Sequence, residues 1–236
     1  MDYYDFDEND FNYDFDFDIN TENLNKTRIH IPKWKRPTAI KYSNAQKLAR
    51  DVQLDAATNY FVIVSGNFIF GDFIEALVEK HKLKVTEMYI STLGMSDNNV
   101  DSIKNLLLDF GVEKINLIIS HYFFGVERQN LIKYMIEEYA GLNIDVAVAG
   151  SHTKICLIKT PELTLVIDGS ANLSSSANLE NFSLRNDEDL YNFNADWMQT
   201  VMENYTVIRG LEQETNFKNN NNNRTTKIWK KIGGGE

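Results

Sequence analysis

Three features of the sequence predict an α/β fold: a mixed β-sheet flanked by helices, in one domain with flexible tails. Short apolar runs such as "INLIIS" (115–120) have the length of strands, and they alternate with stretches of helical periodicity such as "VDSIKNLLLDF" (100–110). Two further runs, "KICLIKT" (154–160) and "LTLVIDGS" (163–170), are separated only by a turn holding Pro161 and Glu162. Strand–helix alternation followed by an antiparallel pair argues for a mixed sheet with helices on its faces.

The elements follow in order. Residues 1–25 alternate acidic and aromatic side chains. Nine acids (Asp2, Asp5, Asp7, Glu8, Asp10, Asp14, Asp16, Asp18 and Glu22) precede the first base, Lys26. Charges of one sign at every other position oppose a strand, so disorder is expected, with ordering on a protein partner as one use. Residues 26–57 are a basic connector, extended through Pro32, Trp34 and Pro37, and a lead-in helix. The domain spans 58–209. "YFVIVSG" (60–66) is its first strand. Asp72, three before Glu75, opens the helix "FIEALVEKHKL" as a capping box. "EMYIST" (87–92) is the next strand. "SDNN" caps a helix with Val100, Ile103, Leu107 and Phe110 on one face. After strand 115–120 comes "ERQNLIKYMIEEY", with Leu131, Met135 and Tyr139 four apart and core in character, then strand "IDVAVAG" (144–150) and the pair above. Residues 210–236, Asn-rich, basic and Gly-ended, are a mobile tail.

Composition narrows the function classes. With 236 residues, 43% of them hydrophobic, the chain can bury a full core. No apolar run approaches the roughly 20 residues of a membrane helix, and "MDYYDFDEND" is acidic where a signal peptide is basic and then apolar. The expectation is a soluble, cytoplasmic protein without a membrane partner. A single cysteine, Cys156, excludes an internal disulfide and reads as a buried small hydrophobe; four scattered histidines give no zinc pattern. The net charge of −10 belongs to the first 25 residues, since beyond them 25 acids face 24 bases. A nearly neutral domain still binds a polyanion when its bases converge on one cleft.

Such convergence is predicted around "SHTK" (151–154). His152 and Lys154 are two apart on an extended segment and point the same way. The following strand returns antiparallel and ends in Gly169-Ser170-Ala171-Asn172, so His152, Lys154, Ser170 and Asn172 meet at one edge of the sheet. Ser174 and Ser175 offer caps for a helix whose N-terminus would add backbone N–H groups. This collection suits a phosphodiester. Lys154, Ser170 and Asn172 donate to non-bridging oxygens. A neutral imidazole attacks phosphorus to form a covalent intermediate, a second imidazole protonates the leaving oxygen, and no metal or other cofactor is required.

The residues "HTK" and "GSAN" resemble the phospholipase D-like superfamily, whose signature is His-x-Lys followed by Gly-Ser-x-Asn. The layout around "FVIVSGNFIFGDFIEAL" is similar too, and the resemblance covers roughly residues 58–205. It implies His152 as nucleophile, Lys154 and Asn172 as phosphate ligands with Ser170 in support, and Glu180 as the carboxylate that orients the histidine. The family's Asp stands five residues after the Lys; that position here is Lys159, and Asp168 is the nearest Asp. Only one copy of the motif is present, since His30, His81 and His121 have no Lys two residues later. Single-copy members resemble bacterial metal-independent endonucleases, which implies a homodimer with one site on the two-fold axis.

The reading is therefore a metal-independent phosphodiesterase, an endonuclease on DNA or RNA working through phosphohistidine. One alternative is a non-catalytic nucleic-acid-binding or structural protein of a phage or mobile element. Another is a lipid phosphodiesterase, for which "KIWKKI" is too short an anchor. Trp34 among Lys33, Lys35 and Arg36 is either a base-stacking side chain or a packed connector residue. His121 reads as structural at the end of a strand, and His81 as part of a solvated face.

Overall fold

A computed structural model describes residues 38–42, 44–64, 68–127, 130–174 and 178–211. They form one nine-stranded sheet and six helices. In chain order the elements are β1 (Thr38–Tyr42), α1 (Ala45–Asp51), β2 (Asn59–Val64), α2 (Phe70–His81), β3 (Glu87–Thr92), α3 (Asp97–Leu108), β4 (Ile115–Ser120), α4 (His121–Glu127), α5 (Leu131–Glu138), β5 (Ile144–Ala149), β6 (Ile155–Lys159), β7 (Thr164–Gly169), β8 (Glu180–Asn186), α6 (Glu188–Tyr205) and β9 (Thr206–Arg209). The sheet order is β1-β2-β8-β7-β6-β3-β4-β5-β9. The pairs β1–β2, β3–β4 and β4–β5 are parallel and the others antiparallel. The carboxyl ends of β1 to β5 and of β7 therefore share one rim with the amino ends of β6, β8 and β9.

Period-two alternation divides the core. Val62, Ile90, Leu117, Val146, Cys156, Ile167 and Phe182 point to one face, where α1 to α5 pack. Tyr89, Ile118, Ala147, Leu157 and Val166 point to the other, where α6 closes over them with Leu190, Tyr191, Met198, Val201 and Met202. Strands covered on both faces are continuously apolar, and all six residues of β4 are buried.

The strands read at 87–92, 115–120 and 144–150 stand where expected, the last ending at Ala149. The 160–163 turn is closed by Thr160, whose hydroxyl accepts from the Leu163 N–H at 2.8 Å. Ser96 caps α3, and its N–H donates to Asn99 Oδ1 at 2.9 Å. On that helix Leu106, not Leu107, completes the buried face with Val100 and Ile103, and Phe110 lies beyond its end.

Other expectations are corrected. Asp72 is not the cap of α2: the helix starts at Phe70 after Ile69, because Phe70 and Phe73 are drawn into a cluster with Phe182, ring centroids 5.3 and 5.0 Å away. Asp72 sits in the first turn, where burial and the charge of Glu75 raise its pKa. His81 is not on a solvated face; its Nε2 lies 2.8 Å from the Ala49 carbonyl and ties α2 to α1. His121 starts a helix, α4, behind an interior strand. Within the connector stretch, residues 38–42 form the outermost strand of the sheet, and β8, α6 and β9 follow the hairpin as three further elements. Residues 1–37 and 212–236, with Trp34 and His30, lie outside the described residues.

No helix among the described residues is long and apolar enough to cross a membrane. Cys156 is fully buried on β6, and burial pushes its thiol far up. It should therefore resist a soluble disulfide reagent in the native protein and react only on unfolding. Stoichiometric labelling within seconds, without denaturant, would contradict its placement.

Candidate active site

The link from β5 to β6 must cross the ends of β4 and β3, because those two strands lie between them in the sheet. That crossover, residues 150–154, carries His152 and Lys154 onto the rim. It is a break in strand sequence at the carboxyl side of a sheet, the usual place for a ligand site in α/β proteins. The two side chains lie together: Lys154 Nζ is 3.4 Å from His152 Nδ1 and donates to the His152 carbonyl at 3.2 Å. His152 is exposed and Lys154 half-buried.

The second half of the motif is fastened to the first by backbone. The Gly169 N–H donates to the Lys154 carbonyl at 3.2 Å, and Ile155 faces Asp168 in the ladder. Gly169 is required at this position, since a Cβ there would stand 2.1 Å from the Asn181 carbonyl oxygen and 2.6 Å from Phe182 Cα. With that contact made, the Ser170 N–H reaches the Asn181 carbonyl at 2.9 Å, and Asn181 N–H returns to Ser170 Oγ at 3.0 Å. Ala171 and Leu173 are buried, Ser170 is exposed and Asn172 is half-buried. Leu173 is held from two directions, by the Gly71 N–H on its carbonyl at 3.0 Å and by Thr92 Oγ1 on its N–H at 3.4 Å.

Each predicted residue can now be placed. His152 and Lys154 touch, and Ser170 joins Glu180, whose carboxylate accepts from the Ser170 hydroxyl. The ring of His152 meets Lys154, not Glu180. Asn172 Oδ1 is buried without a partner. Ser174 starts no helix among the described residues, and Ser175 lies outside them; the next element is β8, and the helix N-terminus that meets the motif segment is that of α2, through the Gly71 N–H on the Leu173 carbonyl. The site sits at strand ends in the middle of the sheet and not on an outer strand. Lys159 is at the far end of β6, 6.0 Å from the Tyr191 ring centroid. Asp168 is engaged by the Ser183 hydroxyl and by Arg185 at 2.6 Å. His121 backs onto the crossover, its Nδ1 3.9 Å from where a Cβ of Gly150 would lie. Its surface is partly open, but its packed surroundings lower its pKa, with the Val148 carbonyl pulling the other way. Among the described residues no group of three or more His, Cys, Asp or Glu is placed to hold a metal ion.

Three hydroxyls without a sequence signature also belong to the rim. Ser91, buried at the end of β3, is 2.7 Å from Thr153 Oγ1 and 3.3 Å from Ser151 Oγ, and the latter two are 2.8 Å apart. Only the convergence of β3 with a crossover some 60 residues later brings them together.

Comparison with known proteins gives the following. No family model matches the chain, and no curated relative matches it. Among solved structures, it is similar to NucT from Helicobacter pylori, at 18% identity over 63% of this chain and 98% of that one, with a TM-score of 0.47. It is similar to Nuc, a phospholipase D family member from Salmonella typhimurium, at 15% identity over 63% and 96%, with a TM-score of 0.42. It is also similar to a phosphatidylserine synthase from Haemophilus influenzae Rd KW20, at 12% identity over 74% and 45%, with a TM-score of 0.42.

The close approach at Gly169 yields a quantitative expectation. Gly169→Ala forces β7 from β8 and should destabilise by about 1–3 kcal/mol or more, read as a lower urea midpoint at unchanged slope. A variant as stable as the wild type would show that the two strands are not in contact there.

Proposed function

We propose that this chain is a metal-independent phosphodiesterase, an endonuclease on DNA or RNA that works through phosphohistidine in a homodimeric site. The observation that carries the reading is the pairing of His152 with Lys154 on a rim where the Gly169 hydrogen bond brings Ser170 and Asn172 alongside. On a near-neutral domain a cation thus stands beside one exposed imidazole, and the segment carrying the hydroxyl and the amide is tied to the cation's own backbone carbonyl. The motif's resemblance to the phospholipase D-like superfamily supports the same roles.

The chemistry follows from the donors present. A phosphodiester's non-bridging oxygens attract Lys154 and the Asn172 amide, with Ser170 beside them. While Lys154 donates to Nδ1, a neutral His152 ring keeps its proton on Nε2 and offers no lone pair there. Phosphate oxygens compete for the ammonium, and once it moves, Nδ1 takes the proton and Nε2 attacks. A P–N bond forms and the P–O bond to the leaving group breaks. The leaving oxygen takes its proton from the second copy's imidazole, which then activates water; water oxygen bonds to phosphorus and the P–N bond breaks. Glu180 is the carboxylate hydrogen-bonded to this set, through Ser170. Each chain brings one such histidine, so the acid comes from a second copy across a two-fold axis, and activity follows a bell in pH.

Cleavage of single- and double-stranded nucleic acid should persist in EDTA. It should fall by more than about 1,000-fold in His152→Ala and about 100- to 1,000-fold in Lys154→Ala. Loss of cleavage in EDTA, or full activity in His152→Ala, would reject the mechanism. Sedimentation should find dimers at micromolar concentration, and mixing His152→Ala chains with wild type should depress activity below the wild-type fraction; monomers with activity linear in protein would remove the shared site.

The domain itself is proposed to be complete without residues 1–25, which serve a protein partner or solubility. Their deletion should leave the melting temperature within a few degrees, and a large drop would make them part of the fold.

A further inference from the structure

The crossover that carries His152 and Lys154 has no regular ladder of its own: residues 150–154 are in neither strand nor helix. Something else must fix it, since a nucleophile misplaced by about 1 Å forfeits much of its rate. Thr153 stands between the two functional residues. Its hydroxyl is 2.7 Å from Ser91 Oγ and 2.8 Å from Ser151 Oγ, and Ser91 and Ser151 are 3.3 Å apart. Each hydroxyl supplies one proton and accepts through two lone pairs, so three hydroxyls can close a ring in which every member donates once. Closed chains of this kind reinforce one another. The Thr153 N–H donates to Ser151 Oγ at 3.3 Å, and the Thr153 carbonyl, 3.4 Å from Ser91 Oγ, is an alternative acceptor for the Ser91 proton. Ser91 itself is 2% exposed and belongs to β3, so the ring is anchored in the sheet. On an extended segment, holding Thr153 to one side sends its neighbours to the other.

We infer that Ser91 is a positioning residue whose hydroxyl, through Thr153 and Ser151, locks the 150–154 crossover so that His152 and Lys154 face the same phosphate. The inference rests on the phosphodiesterase reading only for its catalytic consequence; the lock itself is a property of the crossover. It also predicts coupling: removing either end of the Ser91–Thr153 bond has the same effect, and removing both adds little.

The test uses the full chain with Ser91→Ala, Ser91→Thr, Thr153→Val and the Ser91→Ala/Thr153→Val double variant. Oligonucleotide cleavage, oligonucleotide affinity and hydrogen exchange of a peptide covering 150–155 are measured on each. Ser91→Ala and Thr153→Val should each lower kcat about 10- to 100-fold with affinity within about twofold, and speed exchange at 150–155 about tenfold. Ser91→Thr should keep both near wild type, and the double variant should match the singles. Wild-type kcat and exchange in both single variants would overturn the inference. If the wild-type chain cleaves nothing, the phosphodiesterase reading falls, and exchange alone decides the lock: unchanged exchange in Ser91→Ala and Thr153→Val overturns it. Should Ser91→Ala not fold, Thr153→Val, at an exposed position, carries the same comparison.

Discussion

One backbone hydrogen bond, from the Gly169 N–H to the Lys154 carbonyl, joins the two segments on which the candidate site depends. It forms because β6 and β7 are hairpin partners, and it lies where their ladder runs out onto the rim. Its consequence continues sideways. At Gly169 the chain passes so close to β8 that only a residue without Cβ fits. That contact sets the Ser170–Asn181 exchange of hydrogen bonds and places the Ser170 hydroxyl on Glu180. Directly behind it, the Phe182 ring packs among Phe68, Phe70 and Phe73. The polar rim is thus braced by an aromatic cluster one layer below, and a change at Gly169 would be felt in both.

The two faces of the sheet contribute unequally. Five helices, α1 to α5, pack on one face, whereas α6 covers β4 to β7 on the other. Central strands β4 and β5 are consequently buried on both sides. The crossover bearing His152 spans those strand ends. A site built there inherits a packed floor, while its side chains stay open to solvent.

Legibility in the sequence followed burial. Strands 87–92 and 115–120 were readable because two-sided burial leaves continuous apolar runs, and the hairpin because Pro161 and Glu162 mark its turn. β8 escaped because "ENFSLRN" buries only Phe182 and Leu184 and takes its place between β2 and β7 from more than a hundred residues away from β2. α6 escaped because its buried positions sit among Asn, Asp, Gln and Glu, leaving a weak stripe, although Asp187 caps it and accepts from the Leu190 N–H at 3.0 Å. α4 follows β4 without a break, so no turn residue announces it. At the site, His152, Lys154, Ser170 and Asn172 were legible because local spacing fixes their direction. Ser91 was not, because nothing local distinguishes it from any serine near a strand end. The capping-box reading of Asp72 failed for a related reason: tertiary demand for Phe70 and Phe73 began the helix three residues earlier.

The rim also retains polar groups that the fold leaves unmet. Tyr139 and Tyr191 hydroxyls lack partners inside the two cores, and Asn99 Nδ2 is pressed against Gly71, but Asn172 Oδ1 is unpartnered beside the motif. An unmet buried polar atom costs about 1–3 kcal/mol. Lys154 is likewise imperfectly served, its ammonium facing an imidazole and a carbonyl with no carboxylate of the described residues among its contacts. The two deficits differ in kind: the ammonium lacks an acceptor, whereas Asn172 Oδ1 lacks a donor. On the phosphodiester reading proposed above, a non-bridging oxygen would meet the first; it would use Asn172 only through the amide's N–H groups, so the cost of the buried Oδ1 is not repaid by an anion.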